Sequence, residues 1–243
     1  MKKNSISIIT LSFNCLDNLK KTVDSITNQK YKDYEYIIVD GASNDGTIEY
    51  LKQLKNVKWI SEKDDGISDA FNKGISMATG EYICFLNSAD TLIDSDTLSY
   101  VSEILASKND DVVIFQAIDS NGNIMPNKNM NNDAKRIWND SRIPHQATFV
   151  KKEVFNKVGN FNKFIIIRMD YDFFMRCKLY NCSYSYFQHP IVNYDLTGVS
   201  SNPKNHYIFK KEGLALKSLY KQKITLKERI SLFKSYIKYK LFK

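Results

Sequence analysis

Polar residues able to do chemistry recur in this chain directly behind short apolar runs. They read Ser12-Phe13-Asn14, Asp40-Gly41, Glu62-Lys63-Asp64-Asp65-Gly66 and Asn87-Ser88-Ala89-Asp90. Carboxylates and amides of this kind accept hydrogen bonds from N–H and hydroxyl groups. Each has a second use when taken singly, because Asp and Asn that follow a strand commonly cap the next helix. The choice depends on whether the intervening elements bring these ends together.

Those elements can be read from periodicity. Residues 5–12 form a β-branched run with strand character, and residues 17–29 carry Leu19, Val23 and Ile26 at helical spacing. The unit repeats: residues 34–40 read as a strand, and Gly41 to Gly46 is turn chemistry with Asp45 as N-cap for a helix holding Ile48 and Leu51. A third strand follows at 57–60, a third helix at 67–77 stopped by Gly80, and a fourth strand at 81–86. Strands alternating with helices at this interval predict an α/β fold, its sheet mostly parallel and flanked by helices through right-handed crossovers. In such sheets ligands bind beyond the carboxyl ends of the strands, which is where all four polar groups fall. Beyond Asp90 the pattern is less regular, with a strand at 111–117, an asparagine-rich loop at 127–132, one helical face at 173–179 and no internal repeat.

The 243 residues suffice for one large domain or two small ones. Hydrophobic residues at 43%, charged residues at 26%, and only 9 Gly and 4 Pro exclude collagen-like and low-complexity chains. Cys15, Cys84, Cys177 and Cys182 make no C-x-x-C pair; they read as free thiols in a reducing compartment rather than a zinc site. Residues 6–13 are interrupted by Ser7, Thr10 and Ser12, and no apolar run approaches the roughly 20 residues of a spanning helix. The expected location is therefore cytoplasmic.

The net charge of +8 is unevenly placed. Residues 206–243 hold 11 basic against 2 acidic side chains, a net of +9, and the remainder holds 24 against 25, a net of −1. The division suggests a domain over 1–205 and a basic helical tail over 206–243. A helix there aligns Leu226, Ile230, Phe233, Ile237 and Leu241, with Lys223, Lys227, Lys234 and Lys238 around them. Two readings stay open: the stripe packs on the main body, or it lies on an anionic membrane surface. Nucleic acid is not the expected partner, since basic residues are not interleaved with aromatics outside the tail.

Taken in order, residues 5–14, the series Ile37-Ile38-Val39-Asp40-Gly41-Ala42-Ser43-Asn44-Asp45-Gly46-Thr47, Trp59 to Glu62, Gly66-Ile67, Asp69 to Gly74, and Ala78 to Asn87 resemble the inverting family 2 glycosyltransferases of GT-A fold. His145 to Val150 and Asp170-Tyr171-Asp172 to Arg176 resemble the acceptor-side segments of small bacterial members, so that the likeness spans residues 5–200. It implies a nucleoside diphosphate sugar donor, UDP-linked in the first instance, and a glycan or polyprenyl-linked acceptor in surface-polysaccharide assembly. It assigns Asp170 as the base, Asp172 to orienting the loop or acceptor, and Arg176 to pairing with either carboxylate. Leu11 and Phe13 would sandwich the nucleotide base and Asp40 would read the base or ribose. Asn14, Asp64, Asn72, Lys73, Asn87 and Ser88 would line the same cleft, with Lys73 near the diphosphate. His145 would sit beside the leaving group or acceptor, or else serve the structure.

The sequence departs from the family where an acidic pair normally holds Mg²⁺ or Mn²⁺. Ala89 stands at the usual ligand position and Asn87 replaces the leading aspartate. Three outcomes are open: Asp90 moves in as ligand, Lys73 or His145 offsets the leaving charge, or the chain is a catalytically silent sugar-nucleotide-binding or scaffolding subunit. Gly41 likewise stands where many relatives have a second acid.

Overall fold

The computed structural model describes residues 5–126, 143–200 and 202–241; the asparagine-rich stretch at 127–132 lies outside them. The first half runs β1 (Ile6–Ser12), α1 (Leu16–Thr27), β2 (Tyr34–Asp40), α2 (Thr47–Leu51), β3 (Val57–Ser61), α3 (Ile67–Met77) and β4 (Tyr82–Phe85). These strands lie parallel in the order β3-β2-β1-β4. Alternate strand residues serve opposite faces. Ile9, Ile37, Val39, Ile83 and Phe85 pack with α3, while Ile8, Tyr36, Ile38, Tyr82 and Cys84 pack with α1. A sheet covered on both faces explains why its strands read as continuous apolar runs.

The second half departs from the parallel expectation. It comprises β5 (Thr91–Leu92), α4 (Thr97–Lys108), β6 (Val112–Asp119), β7 (Ile124–Met125), β8 (Thr148–Lys151), α5 (Lys152–Val158), α6 (Met169–Leu179) and β9 (Tyr184–Tyr194). The sheet continues β4-β8-β6-β9-β5, with β8 antiparallel to both β4 and β6, and β5 antiparallel to β9. Strand β8 enters from the carboxyl end of β4, through a 3₁₀ turn at His145–Ala147. Its register pairs Cys84 with Phe149, so the residues just before β8 lie beside those just after β4.

Gly46, not Asp45 as expected, is the N-cap of α2, and Asp45 lies one residue before it. Gly46, at φ +93°, precedes that helix, and Asp45 accepts from the Thr47 amide through Oδ1 and from the Leu16 amide through Oδ2. One carboxylate thus meets the partial positive charge of two helix starts. The chain closes with α7 (His206–Leu219) and α8 (Leu226–Leu241). Leu216 of α7 is buried against Tyr171 and Met175 of α6, and the Tyr220 hydroxyl donates to Asp172 Oδ1 at 2.6 Å. The compositional division at 206 is therefore not a division in packing: α7 belongs to the body, and α8 lies upon α7. No helix among the described residues is long and apolar enough to cross a membrane, and all four cysteines are free thiols.

Candidate active site

Three side chains distant in sequence meet at the carboxyl end of β4. Asn87 follows the strand, His145 opens the turn into β8, and Asp170 lies in the first turn of α6. The Asn87 Nδ2 group lies 3.1 Å from His145 Nε2, and His145 Nδ1 lies 3.4 Å from Asp170 Oδ2. With the Asn87 amide donating to Nε2, the imidazole proton sits on Nδ1 and faces the carboxylate. The ring is also held edge-on by Phe71, with centroids 5.9 Å apart. Asp170 Oδ1 accepts from the Tyr171 amide at 2.7 Å. Burial pushes the Asp170 carboxyl up, but the hydrogen bonds from His145 and the Tyr171 amide, with the Arg168 guanidinium nearby, outweigh it and hold the group below the usual carboxylate range. The result is an ionised carboxylate, fixed at a helix start and able to accept a proton.

The two residues expected to sandwich the nucleotide base lie at the end of β1. Phe13 is 65% exposed, and Leu11 is partly buried and packed against the core. Gly41 adjoins them. A Cβ there would lie 2.9 Å from Asp64 Oδ2 and 3.2 Å from the Phe13 ring, so the Asp64 carboxylate fills the space of a side chain at position 41. Asp40 itself is fully buried. It accepts from the Ser43 amide at 2.9 Å, the Ser43 hydroxyl and the Ser61 hydroxyl at 2.6 Å. That corrects its expected role, because three internal donors leave it bracing the loop after β2 rather than facing a ligand.

Several other candidates turn out to brace backbone. Asn14 joins the loops after β1 and β2: its amide donates to Ser43 Oγ, and its Oδ1 accepts from the Asn44 amide. Asn72 donates to the Phe161 carbonyl and accepts from the Phe161 amide, clamping the loop before α6 onto α3. The Ser88 hydroxyl donates to the Leu11 carbonyl at 2.7 Å. Asp172 is buried between Arg176 Nε at 3.0 Å and the Tyr220 hydroxyl, and Arg176 donates onward to the carbonyls of Val158, Gly159 and Asn160. Both were expected on the acceptor side: Asp172 instead ties α6 to Tyr220 beyond α7, and Arg176, paired with a carboxylate as expected, ties α6 to the end of α5.

Lys73 is likewise corrected as a diphosphate cation. Its ammonium contacts Asp64 at 2.8 Å, Glu62 at 2.9 Å and Asp69 at 3.3 Å. Burial pushes its pKa down, but hydrogen bonds to Asp64 and Glu62 raise it further than burial lowers it. Three carboxylates neutralise the charge, so Lys73 acts by holding Asp64 in place beside Phe13.

The oxygens after β4 also test the cation. Ala89, at φ +83°, offers none. Asp90 is buried and accepts from the Asp195 amide at 2.9 Å; burial, only partly opposed by that bond and by His145, pushes its carboxyl up to about 6. Asp90 thus links the turn after β4 to the end of β9. Asn87 Oδ1 is buried without a partner, but it is one neutral oxygen. Among the described residues no group of three or more His, Cys, Asp or Glu is placed to hold a metal ion. Mg²⁺ and Mn²⁺ favour sets of charged oxygens, and this donor set does not fit them.

Two contributors carried no local signal in the sequence. Glu212 of α7 accepts from the amides of Ile166, Ile167 and Arg168 at 2.7–3.0 Å, capping the start of α6 two residues from Asp170. The Arg168 guanidinium stacks between the rings of Tyr171 and Phe209 at 4.7 and 4.6 Å.

Comparison with known proteins places the chain in a family and a fold. An uncharacterized glycosyltransferase of Mycobacterium tuberculosis strain H37Rv is 31% identical over 218 residues, spanning 84% of this chain and 80% of the relative. A PGL/p-HBAD biosynthesis glycosyltransferase of Mycobacterium bovis strain BCG is 29% identical over 206 residues, spanning 81% and 78%. Among solved structures, S. aureus TarS 1-349 in complex with UDP superposes with a TM-score of 0.70 at 18% identity, over 93% of this chain and 68% of that one. The mannosyltransferase PcManGT of Pyrobaculum calidifontis, in complex with GDP-Man and Mn²⁺, gives 0.66 at 14% identity, over 96% and 73%. The glycosyl transferase family 2 model matches residues 7–176, the span that contains β1 to β4, the His145 turn and Asp170, and the chain belongs to that family with a GT-A fold.

Proposed function

We propose that this chain transfers a hexosyl group from a nucleoside diphosphate sugar, probed first with UDP, to a hydroxyl of a glycan or polyprenyl-linked acceptor, with inversion, in the assembly of a bacterial surface polysaccharide such as a capsule, O-antigen or exopolysaccharide. Glycosyltransferase membership is established; donor, acceptor and stereochemistry are the parts proposed. One observation carries the reading: the Asp170 carboxylate lies 3.4 Å from His145 Nδ1 and accepts from the Tyr171 amide at 2.7 Å, beside the carboxyl end of β4. In the proposed step the acceptor oxygen bonds to the anomeric carbon as the bond to the diphosphate breaks, and Asp170 takes the hydroxyl proton. His145 keeps the carboxylate oriented through Nδ1–H, and Asn87 keeps the ring oriented through Nε2. Phe13 stacks on the donor base with Asp64 alongside. The S. aureus and Pyrobaculum proteins are described with UDP-GlcNAc and with GDP-Man, which supports a nucleotide-sugar donor for this relative of similar fold. A divalent cation, if this chain uses one, draws its protein ligands from a set that lacks the usual acid, so no step is assigned to it.

The test is Asp170→Asn. Turnover is expected to fall by roughly 10²-fold or more, the scale of general-base help, with UDP binding kept; undiminished turnover would remove Asp170 from the role. Ala89 favours a second reading, a sugar-nucleotide-binding subunit without transfer. UDP binding by the wild-type chain, with no transfer from UDP-, GDP- or dTDP-sugars to any lipid-linked acceptor, would support it.

A further inference from the structure

Helix α8 presents two opposite faces. Toward α7 it turns Glu228, Ser235, Tyr236 and Tyr239: Lys217 pairs with Glu228, Lys210 donates to Ser235 Oγ at 2.8 Å, and the Tyr207 ring contacts Tyr236 and Tyr239 at 5.5 and 5.0 Å. At 3.6 residues per turn, Leu226, Ile230, Phe233 and Ile237 fall on the side about 180° from the line through Glu228 and Ser235. They are exposed there, Leu226 by 73% and Phe233 by 63%. Basic side chains border this stripe on both flanks, Lys227, Lys234 and Lys238 on one and Arg229 and Lys240 on the other, all exposed. The one acid of the helix, Glu228, faces inward and is neutralised by Lys217. The stripe therefore does not pack on the body, because α8 already meets the body with its other face.

We infer that this face docks on an anionic phospholipid surface. The helix would lie in the membrane plane, with the stripe at the boundary of headgroups and acyl chains and the flanking cations on lipid phosphates. Charge selects lipid over a second copy of the chain. Two copies joined stripe to stripe would crowd five basic side chains from each helix with no acid facing them, whereas an anionic leaflet answers every one. The inference rests on the proposed use of a lipid-linked acceptor, since docking holds the chain at the layer that carries such an acceptor.

The experiment uses the full chain with vesicles of phosphatidylcholine alone and of phosphatidylcholine mixed with phosphatidylglycerol, sedimented at low and at raised salt. Binding is expected only to the mixed vesicles, and it falls as salt rises. Replacing Lys227, Lys234 and Lys238 together by Gln should weaken low-salt binding about 100-fold, the product of three lysine contributions near a charged surface. Phe233→Ser with Ile237→Ser should weaken it about tenfold or more through lost apolar burial. All five positions are solvent-exposed, so helical circular dichroism and UDP binding should stay as in the wild type. Indifference to phosphatidylglycerol would overturn the inference. So would a wild-type dimer in light scattering that Phe233→Ser with Ile237→Ser converts to monomer. UDP binding is read on the same samples: its absence with vesicle binding intact would sink the donor reading and leave the docking, and the reverse result would do the opposite.

Discussion

Replacing Asp90 by Asn removes one ionisable group from below the end of β4 and keeps an oxygen able to accept from the Asp195 amide. Burial pushes the Asp90 carboxyl up to about 6 in the folded chain, against about 3.9 for an unfolded aspartate. A group raised on folding supports the fold while protonated. Its contribution is whole below about pH 4 and is lost as pH rises through about 6. About two pKa units at 1.36 kcal/mol each give about 3 kcal/mol over that window. Asp90→Asn has no such loss, so the stability of the variant relative to wild type should climb by about 3 kcal/mol between pH 4 and pH 7 and then level off. Urea unfolding of both proteins across that range measures it, and any constant offset from altered hydrogen bonding drops out of the slope. A difference that stays flat with pH would rule out a raised Asp90 carboxyl. It would mean that Asp90 ionises as freely as in the unfolded chain, as a carboxylate open to a cation would.

Ala89→Asp supplies an oxygen at the place of the usual ligand, and Asp tolerates the left-handed backbone at φ +83° better than Ala. UDP binding measured by calorimetry should become tighter in the presence of Mn²⁺ in that variant, and equal affinity with and without the ion would count against the fit argument. Gly41→Ala places a methyl 2.9 Å from Asp64 Oδ2 and 3.2 Å from the Phe13 ring; UDP affinity should fall about tenfold, equivalent to 1.4 kcal/mol, and unchanged affinity would remove this corner from the donor site. Glu212→Ala deprives the start of α6 of the acceptor for three amides. It should cost about 1–2 kcal/mol in thermal unfolding, as for other lost caps, and should lower turnover as well; full turnover would show that the cap does not position Asp170.

The first half of the fold was legible because each strand is covered on both faces and each helix on one, so that Ile8, Ile9, Leu19, Val23 and Ile26 write their burial into simple periods. The antiparallel entry of β8 was not, since strand direction is set by where a connection begins, and the residues of 148–151 carry no mark of it. At the site, the resemblance pointed to Asp170 and His145, and geometry brings both to one cluster. Asp40, Asn72, Asp172 and Arg176 have the chemistry of ligands yet serve backbone groups. A carboxylate bound to the Ser43 amide and one bound to a substrate hydroxyl look alike in sequence, and only the partner's place in space separates them.

Glu212 joins the start of α6 to a helix that begins thirty residues beyond the end of the matched family span, at residue 206 rather than 176. During synthesis the chain emerges N-terminus first, so β1 to β4 and even Asp170 itself are made before the cap that seats them. A chain released after residue 176 holds every residue of the cluster and lacks Glu212, Leu216 and Tyr220, the groups that brace α6 from behind. The bracing of α6 is thereby complete only once the last part of the body has been translated. The same logic bears on expression of fragments: a piece trimmed to the span that defines the family would hold Asn87, His145 and Asp170 without the groups that brace α6.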